Sequence, residues 1–165
     1  MSLLYGYFRT WSLILGLGVR AEADVVARFY SAAQVGDGEG ILAVLHPEFE
    51  ARTAPGLPCG AGGAFRGPRE TLVRVWGAVF AEFDTAPYAE TWHETTDGVV
   101  VVTGHYRGSV RATGREYEAE FVHLWRVTDG LISWLHQYTD TALWHEALGA
   151  ELSGRGERGV AESGR

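Results

Sequence analysis

Four runs of β-branched and aromatic residues fill residues 85–139, and turn residues separate them. The separating pairs are Asp97-Gly98, Thr113-Gly114 and Asp129-Gly130. Runs of this composition, joined by short turns that contain Gly, are typical of an antiparallel meander, because Gly readily adopts left-handed backbone conformations. The sequence therefore predicts a four-stranded sheet, and the rest of the chain is expected to cover one of its faces.

Turn length decides which side chains share a face of this sheet. We expect three-residue loops at Thr96-Asp97-Gly98 and Thr128-Asp129-Gly130, and a two-residue turn at Thr113-Gly114. A two-residue turn at either Thr-Asp-Gly would turn its outer strand over. Because opposed residues lie on one face, three rows should face the same side: Tyr88, Tyr106, Phe121 and Gln137; Glu90, Gly104, His123 and Leu135; and Trp92, Val102, Trp125 and Ser133.

The segment before the meander predicts helices. Apolar residues at helical spacing indicate a helix over 21–35, which Gly36-Asp37-Gly38 ends. A short helix follows and stops at His46-Pro47, and another begins at Pro68. The Gly-rich stretch between the last two predicts a flexible loop over 55–67 without phosphate-binding spacing, after a short strand at 49–53. The predicted class is α+β, with helices packed on a curved antiparallel sheet.

Length, charge and cysteine content limit the possible functions. The 165 residues fit one domain, assigned to 21–152, with an apolar extension at 1–20 and a tail at 153–165 that we expect to be disordered. The extension is too short for a clean membrane span. We expect it to pack on an apolar surface or a partner, with a signal or anchor segment as the alternative. A net charge of −7 argues against a nucleic-acid partner. The single cysteine excludes an intramolecular disulfide and fits a cytoplasmic location.

Three segments carry a resemblance to a known family. Residues 26–52, 63–72 and 118–142 resemble the SnoaL-like polyketide cyclases of the NTF2-like superfamily, which are related to limonene-1,2-epoxide hydrolase and ketosteroid isomerase. The resemblance spans Ala23 to Leu148. It implies a cone-shaped fold with a cavity between the helices and the concave sheet face. It also implies activity without a cofactor, and often a dimer.

The known acid–base residues of these relatives are missing. The Arg and Asp of limonene-epoxide hydrolase would fall at Gly104 and Tyr106, and its last-strand Asp at Gln137. The Asp-Pro of ketosteroid isomerase meets Ala54-Pro55 here. Cyclases of this type commonly place an acid on the last strand, where Gln137 cannot ionise. Poor hydrolysis of epoxides to diols is therefore expected.

A different polar set is the candidate catalytic site. Glu90 and His123 flank Gly104 in one row, so the carboxylate could raise the pKa of the imidazole and fix its tautomer. Tyr106 could donate to a substrate carbonyl oxygen and Gln137 could orient it. The apolar walls that would bind the substrate are Tyr30, Tyr88, Trp92, Phe121, Trp125 and Leu135. No grouping has convincing metal spacing, and no cofactor is expected.

These residues leave two classes of function open. The first is a cofactor-independent enzyme that cyclises or isomerises a hydrophobic polyketide- or terpenoid-like molecule, or that opens an epoxide. The second is a non-catalytic small-molecule binder or dimerisation module on the same fold. The opposite sheet face is too aromatic for free exposure, so a homodimer through it is expected. That face should carry Val101, His105, Arg107, Val122, Leu124, Trp134 and His136.

Overall fold

In the computed structural model the described residues are 21–149, and they form helices packed on one six-stranded sheet. The helical elements are α1 (residues 21–34), α2 (Gly38–Ala43), α3 (Pro68–Thr71), a π-helical segment (Leu72–Gly77), α4 (Ala78–Glu82) and α5 (Thr141–Ala147). The strands are β1 (Leu45–Thr53), β2 (Gly63–Arg66), β3 (Phe83–Glu94), β4 (Val99–Val110), β5 (Glu116–Thr128) and β6 (Leu131–Thr139). The predicted α+β class is confirmed. The predicted extension at 1–20 and tail at 153–165 lie outside the described residues.

The sheet has two more strands than the predicted meander. Its order is β2-β1-β6-β5-β4-β3, with β1 parallel to β6 and all other neighbours antiparallel. The interpretation of 55–67 as a loop is wrong at its end, where β2 pairs with β1. The second helix also ends earlier than predicted, so that β1 begins at Leu45. Both strands alternate in burial, with Phe49, Ala51 and Phe65 covered by the helices.

The two Thr-Asp-Gly tripeptides form different turns. At Thr96-Asp97-Gly98 the Thr95 amide donates to the Val99 carbonyl, which closes the predicted three-residue loop. At the second tripeptide Thr128 pairs directly with Leu131, so only Asp129 and Gly130 form the turn. Both have positive φ, 52° and 75°, as a type I′ hairpin turn requires. The three-residue prediction is therefore correct for the first loop and wrong for the second.

A bulge in β6 returns the strand to its predicted face after the shorter second turn has turned it over. Pairing shifts between Val127–Ile132 and Arg126–Trp134, and the extra residue in β6 is Ser133. The predicted inward position of Ser133 is wrong, because its hydroxyl contacts Thr128 Oγ1 at 2.9 Å on the exposed side. Beyond this bulge the later residues of β6 face the helices, as predicted.

The turn between β4 and β5 is longer than predicted. The Val110 amide donates to the Arg115 carbonyl, so residues 111–114 form the loop in place of Thr113-Gly114 alone. This moves the register by two residues, and an even shift keeps every side chain on its face. His123 is therefore opposite Val102 and Gln137, while Phe121 is opposite Gly104.

A second bulge, at Glu90 in β3, moves the residues before it to the face opposite the predicted one. Ala89 pairs with Gly104 and Thr91 pairs with Thr103, which leaves Glu90 without a partner across the strand. The shift turns Tyr88 and Glu90 to the side of the sheet away from the helices. Gly104 permits this close approach, because a Cβ at that position would collide with the Tyr88 carbonyl oxygen.

The core lies between the helices and the concave side of the sheet, which we call the inner face. Val26 and Phe29 of α1 are fully buried against it, with Phe83, Trp125 and Trp144. The Asp140 carboxylate accepts a hydrogen bond from the Ala142 amide and so caps the N-terminus of α5. None of the helices in the described range 21–149 is long and apolar enough to cross a membrane.

Candidate functional site

A cavity opens between the inner face and the π-interrupted helix of residues 68–82. The space open to the centres of water-sized molecules is about 40 Å³, so the cavity is small. Most of its wall is apolar, and the polar groups gather on the strands. The lining residues are Phe29, Ala33, Thr53, Leu57, Val75, Trp76, Val79, Phe80, Thr85, Pro87, Tyr106, His123, Leu135, Gln137 and Trp144.

The polar centre of this wall is His123. Its side chain is buried on β5, with 2% of its surface exposed, and both ring nitrogens have a tyrosine partner. Nδ1 lies 2.7 Å from the Tyr30 hydroxyl of α1. Nε2 lies 2.9 Å from the Tyr106 hydroxyl of β4. Two phenols on opposite sides thus hold the imidazole in one position.

Tyr30, His123 and Tyr106 form a row, and each end of this row contacts a group that can only donate a hydrogen bond. The Trp125 indole N–H donates to the Tyr30 oxygen over 3.1 Å. At the other end Gln137 Nε2 donates to the Tyr106 oxygen over 3.4 Å. The orientation of the Gln137 amide is fixed, because its Oε1 accepts from the Ala54 amide at 3.0 Å. We call these five side chains, Trp125, Tyr30, His123, Tyr106 and Gln137, the inner polar chain.

The inner polar chain is neutral near neutral pH. Burial lowers the pKa of His123 to about 3, because the imidazolium would lose its hydration. Burial also raises the pKa of both tyrosines, with a smaller opposing effect from the Gln137 hydrogen bond at Tyr106 and from the Trp125 hydrogen bond at Tyr30. Among the described residues no Asp or Glu lines the cavity. The site therefore offers hydrogen bonds, and it offers no ionised acid–base pair.

The predicted pairing of Glu90 with His123 is wrong. The bulge in β3 places Glu90 on the outer side of the sheet, where its carboxylate contacts Arg107 at 2.7 Å and His105 at 3.1 Å. Hydrogen bonds from Arg107 and then from His105 lower the pKa of this carboxyl. The gap expected beside Gly104 is also filled, since the Phe121 ring is opposite it. The pKa of His123 is consequently lowered, where a carboxylate neighbour would have raised it.

The predicted apolar walls divide into four groups. Leu135 lines the cavity, as do the polar candidates Tyr106, His123 and Gln137. Tyr30, Phe121 and Trp125 lie behind it, where Phe121 stacks on His123 with ring centres 4.1 Å apart. Trp92 covers Tyr30 from the edge at 5.5 Å and is 38% exposed. Tyr88 lies on the outer side beneath the Arg107 guanidinium, so its predicted inward position is wrong.

Sequence reasoning missed the helical half of the cavity wall. Val75, Trp76, Val79 and Phe80 were recognisable as the apolar stripe of one helix, but periodicity does not say which part of the stripe faces a cavity. Their helix contains the π-helical segment Leu72–Gly77, a rare form that is frequent at functional sites. Phe80 also lines an apolar groove on the far surface of this helix. Phe80 therefore lies between the cavity and this groove.

Comparison with known proteins agrees with this architecture. The sequence model of the SnoaL-like domain family matches residues 26–135. The chain belongs to the SnoaL-like family. No curated protein matches this SnoaL-like chain.

Solved structures share the fold. An NTF2-like protein from Burkholderia thailandensis is 30% identical, over 77% of this chain and 96% of that one, with a TM-score of 0.69. TerC, co-crystallised with polyporic acid, is 24% identical over 78% and 98% of the two chains, with a TM-score of 0.71. IdmH, a proposed polyketide cyclase from Streptomyces antibioticus, is also 24% identical over the same shares, with a TM-score of 0.64. The predicted family and its NTF2-like fold are confirmed, and the roles of individual residues remain predictions.

Proposed function

We propose that this SnoaL-like protein is a cofactor-independent enzyme that binds a hydrophobic, polyketide- or terpenoid-like carbonyl compound and promotes its cyclisation or isomerisation. The reacting oxygen of the substrate would lie against Tyr106, with the carbon skeleton between Leu135 and the helical wall. The observation that carries the proposal is the inner polar chain, which presents buried hydrogen-bonding groups at one place in an otherwise apolar cavity.

The chemistry follows from a neutral site. Ring closure onto a carbonyl, or a double-bond shift beside one, builds negative charge on the carbonyl oxygen. A hydroxyl donor held in a water-poor cavity stabilises that charge more strongly than it would in water. The Tyr106 hydroxyl already accepts from Gln137 Nε2, so its oxygen is oriented before a ligand arrives. His123, with its pKa near 3, would stay neutral and hold Tyr106 in place.

Among the described residues no ionised base lines the cavity. We therefore propose that the shape of the cavity makes the main contribution to catalysis. With no carboxylate in the cavity wall, proton removal would fall to the substrate's own groups or to water. The walls would then contribute mainly by folding the substrate into a reactive conformation. Gln137 in place of an acid also leaves water without a strong activating base, so hydrolysis of epoxides to diols would be slow.

The comparisons support this class of substrate without naming one. IdmH is described as a proposed polyketide cyclase, and TerC was crystallised with polyporic acid. Both are about a quarter identical to this chain, which supports a shared fold. A polycyclic substrate would require this narrow cavity to widen, and the π-interrupted helix is the part of the wall that we expect to move.

A ligand screen followed by turnover assays tests the proposal. Native mass spectrometry with carbonyl compounds of increasing size would identify binders, and each binder would then be assayed for an isomeric product of equal mass. For a converted compound, Tyr106→Phe should lower kcat by about 100-fold, the usual effect of losing one such donor. Tyr88→Phe is the matched control, because its hydroxyl lies on the outer side of the sheet, and it should keep wild-type turnover.

Two results would contradict this function. Unchanged turnover in Tyr106→Phe would remove the hydroxyl from the mechanism. Tight binding of cavity ligands with no conversion of any of them would favour the alternative of a non-catalytic small-molecule binder.

A further inference from the structure

The hydrogens of the inner polar chain can be counted. Tyr30 and Tyr106 each carry one hydroxyl hydrogen, and the neutral His123 ring carries one N–H, which makes three hydrogens. Two contacts join these groups, Tyr30 to Nδ1 and Nε2 to Tyr106. Each contact uses one hydrogen, so one hydrogen of the three must point out of the row.

The two ends cannot absorb that hydrogen. Trp125 reaches Tyr30 through an indole N–H, which donates only. Gln137 reaches Tyr106 through its NH₂ group, because the Ala54 amide already occupies the carbonyl oxygen of that side chain. Both phenol oxygens therefore accept hydrogen bonds from the end groups, Trp125 and Gln137. Neither end group offers an acceptor for a phenol hydrogen.

The surroundings of the two phenols decide which one holds the extra hydrogen. Tyr30 is 3% exposed and does not line the cavity. In the described residues its hydroxyl has no acceptor other than Nδ1, so a hydrogen turned away from His123 would be buried without a partner, at a cost in stability. Tyr106 lines the cavity, where its hydrogen can meet water or a ligand.

We propose that His123 carries its hydrogen on Nε2, that Tyr30 is the positioning residue which holds this tautomer, and that the Tyr106 hydroxyl hydrogen therefore points into the cavity. Tyr30 donates to Nδ1, Nε2–H donates to the Tyr106 oxygen, and Tyr106 is left as a donor without an internal acceptor. The opposite tautomer would turn the Tyr106 hydrogen onto Nε2 and present the cavity with no hydroxyl donor.

This arrangement favours ligands of one chemical class. The inference about ligand class rests on the proposed function. The cavity presents a donor at Tyr106, whose oxygen already accepts from Nε2–H and from Gln137. A matching ligand carries an acceptor oxygen without a hydrogen at that point, as a ketone, quinone or ester carbonyl does. An alcohol oxygen could also accept from Tyr106, but its own hydrogen could not donate to the occupied Tyr106 oxygen and would need another acceptor in a mostly apolar wall. The site should thus prefer a carbonyl over the corresponding alcohol.

Nitrogen-15 NMR of the ligand-free protein tests the tautomer directly. With histidine labelled on both ring nitrogens, the His123 resonances, assigned by their loss in His123→Gln, should show a protonated Nε2 and an unprotonated Nδ1 at pH 7. This pattern should persist at pH 5, since the pKa of His123 is about 3. A protonated Nδ1, or an imidazolium with both nitrogens protonated, would overturn the proposal. No substrate is involved, so failure of the proposed function leaves this result unchanged.

A matched pair of variants tests the role of Tyr30. Tyr30→Phe removes the donor to Nδ1, and the Nδ1–H form of His123 should become detectable beside the Nε2–H form. Tyr88→Phe removes an outer hydroxyl and should leave the wild-type spectrum. A Tyr30→Phe protein that keeps only the Nε2–H tautomer would show that Tyr30 does not position His123. If Tyr30→Phe fails to fold, the wild-type spectrum still decides the tautomer.

Cyclohexanone and cyclohexanol, added separately to the wild-type protein, extend the test to ligand class. The ketone should bind at least several-fold more tightly, and the preference should vanish in Tyr106→Phe. Equal affinity for the two compounds, or a preference that survives in Tyr106→Phe, would overturn the assignment of Tyr106 as a donor.

Discussion

Two histidines on adjacent strands of this sheet have opposite surroundings. His123, on the inner face, lies between two neutral phenols, and burial lowers its pKa to about 3. His105, on the outer face, lies 3.1 Å from the Glu90 carboxylate, in a cluster that also contains Arg107 and Glu118. One face therefore works with neutral hydrogen bonds, and the other with ionised side chains in contact with water.

The difference shows how a sheet separates chemistry by the alternation of its strands. Charges on the outer face keep their hydration, and their ion pairs there contribute little to stability. A charge on the inner face would lose its hydration, so the chain carries neutral groups there and satisfies each one with a partner. In the described residues the cavity wall therefore offers oriented dipoles and no ionised carboxylate.

An introduced charge should lower the free energy of unfolding far more on the inner face than on the outer face. This is the largest effect that we expect. Phe121 and Glu120 are neighbours in sequence on opposite faces of β5. Phe121→Arg buries an unpaired guanidinium against His123 and should lower the free energy of unfolding by about 4 kcal/mol or more. Glu120→Arg should change it by less than about 0.5 kcal/mol. Urea unfolding of both variants checks the comparison, and similar losses would mean that the faces are wrongly assigned.

The outer face is also where we expect a second copy of the chain to bind. The structure confirms the placement of its predicted residues, with Leu124 paired between Val101 and His136. Leu124→Glu at this central position should weaken a homodimer by about 2 kcal/mol or more. Sedimentation equilibrium should show a dimer for the wild type and a lighter species for the variant. A wild-type monomer at micromolar concentration would end this idea.

The low pKa of His123 predicts a loss of stability in mild acid. The unfolded chain binds a proton at this histidine below its ordinary pKa of 6.5, while the folded chain resists it until about pH 3. Stability therefore falls as the pH drops below 6.5, by about 1.6 kcal/mol between pH 6.5 and 5 from this residue alone. Unfolding of His123→Gln should lack this component and His105→Gln should keep it. Equal pH dependence in all three proteins would contradict the assignment.

Removal of the Glu90 carboxylate should have the smallest effect. Glu90→Gln changes an exposed group on the outer face, so turnover and ligand affinity should stay within about twofold of wild type. The sequence-based hypothesis, in which Glu90 tunes the pKa of His123, requires a clear loss of activity. A large loss with unchanged binding would revive that hypothesis and contradict the observed bulge.

The contrast between Gln137 and Glu90 shows how far the sequence could predict the site. Gln137 reaches the predicted face because the two-residue turn and the bulge at Ser133 each turn the strand over once, so that their effects cancel. In β3 one bulge acts alone and moves Glu90 to the other face. Gly104 was a usable signal for this, since Gly inside a central strand often marks a bulge or a close backbone approach.

The contact between Tyr30 and His123 was beyond sequence reasoning. Helical periodicity shows which side of α1 is apolar, but it does not say where along the sheet that side lies. Residues 93 positions apart meet here because of how the helix packs on the sheet. The fold class, by contrast, follows from turn spacing and strand composition, which are local.

The most direct test of the account is the position of a bound carbonyl ligand. In a crystal structure with any ketone that the protein binds, the ligand oxygen should lie about 2.5–3.0 Å from the Tyr106 hydroxyl oxygen, the usual O–H···O distance. Its carbon skeleton should lie against Leu135 and the π-interrupted helix. A ligand that binds in the cavity with its oxygen turned away from Tyr106, or that binds only on the outer face, would contradict the central claim.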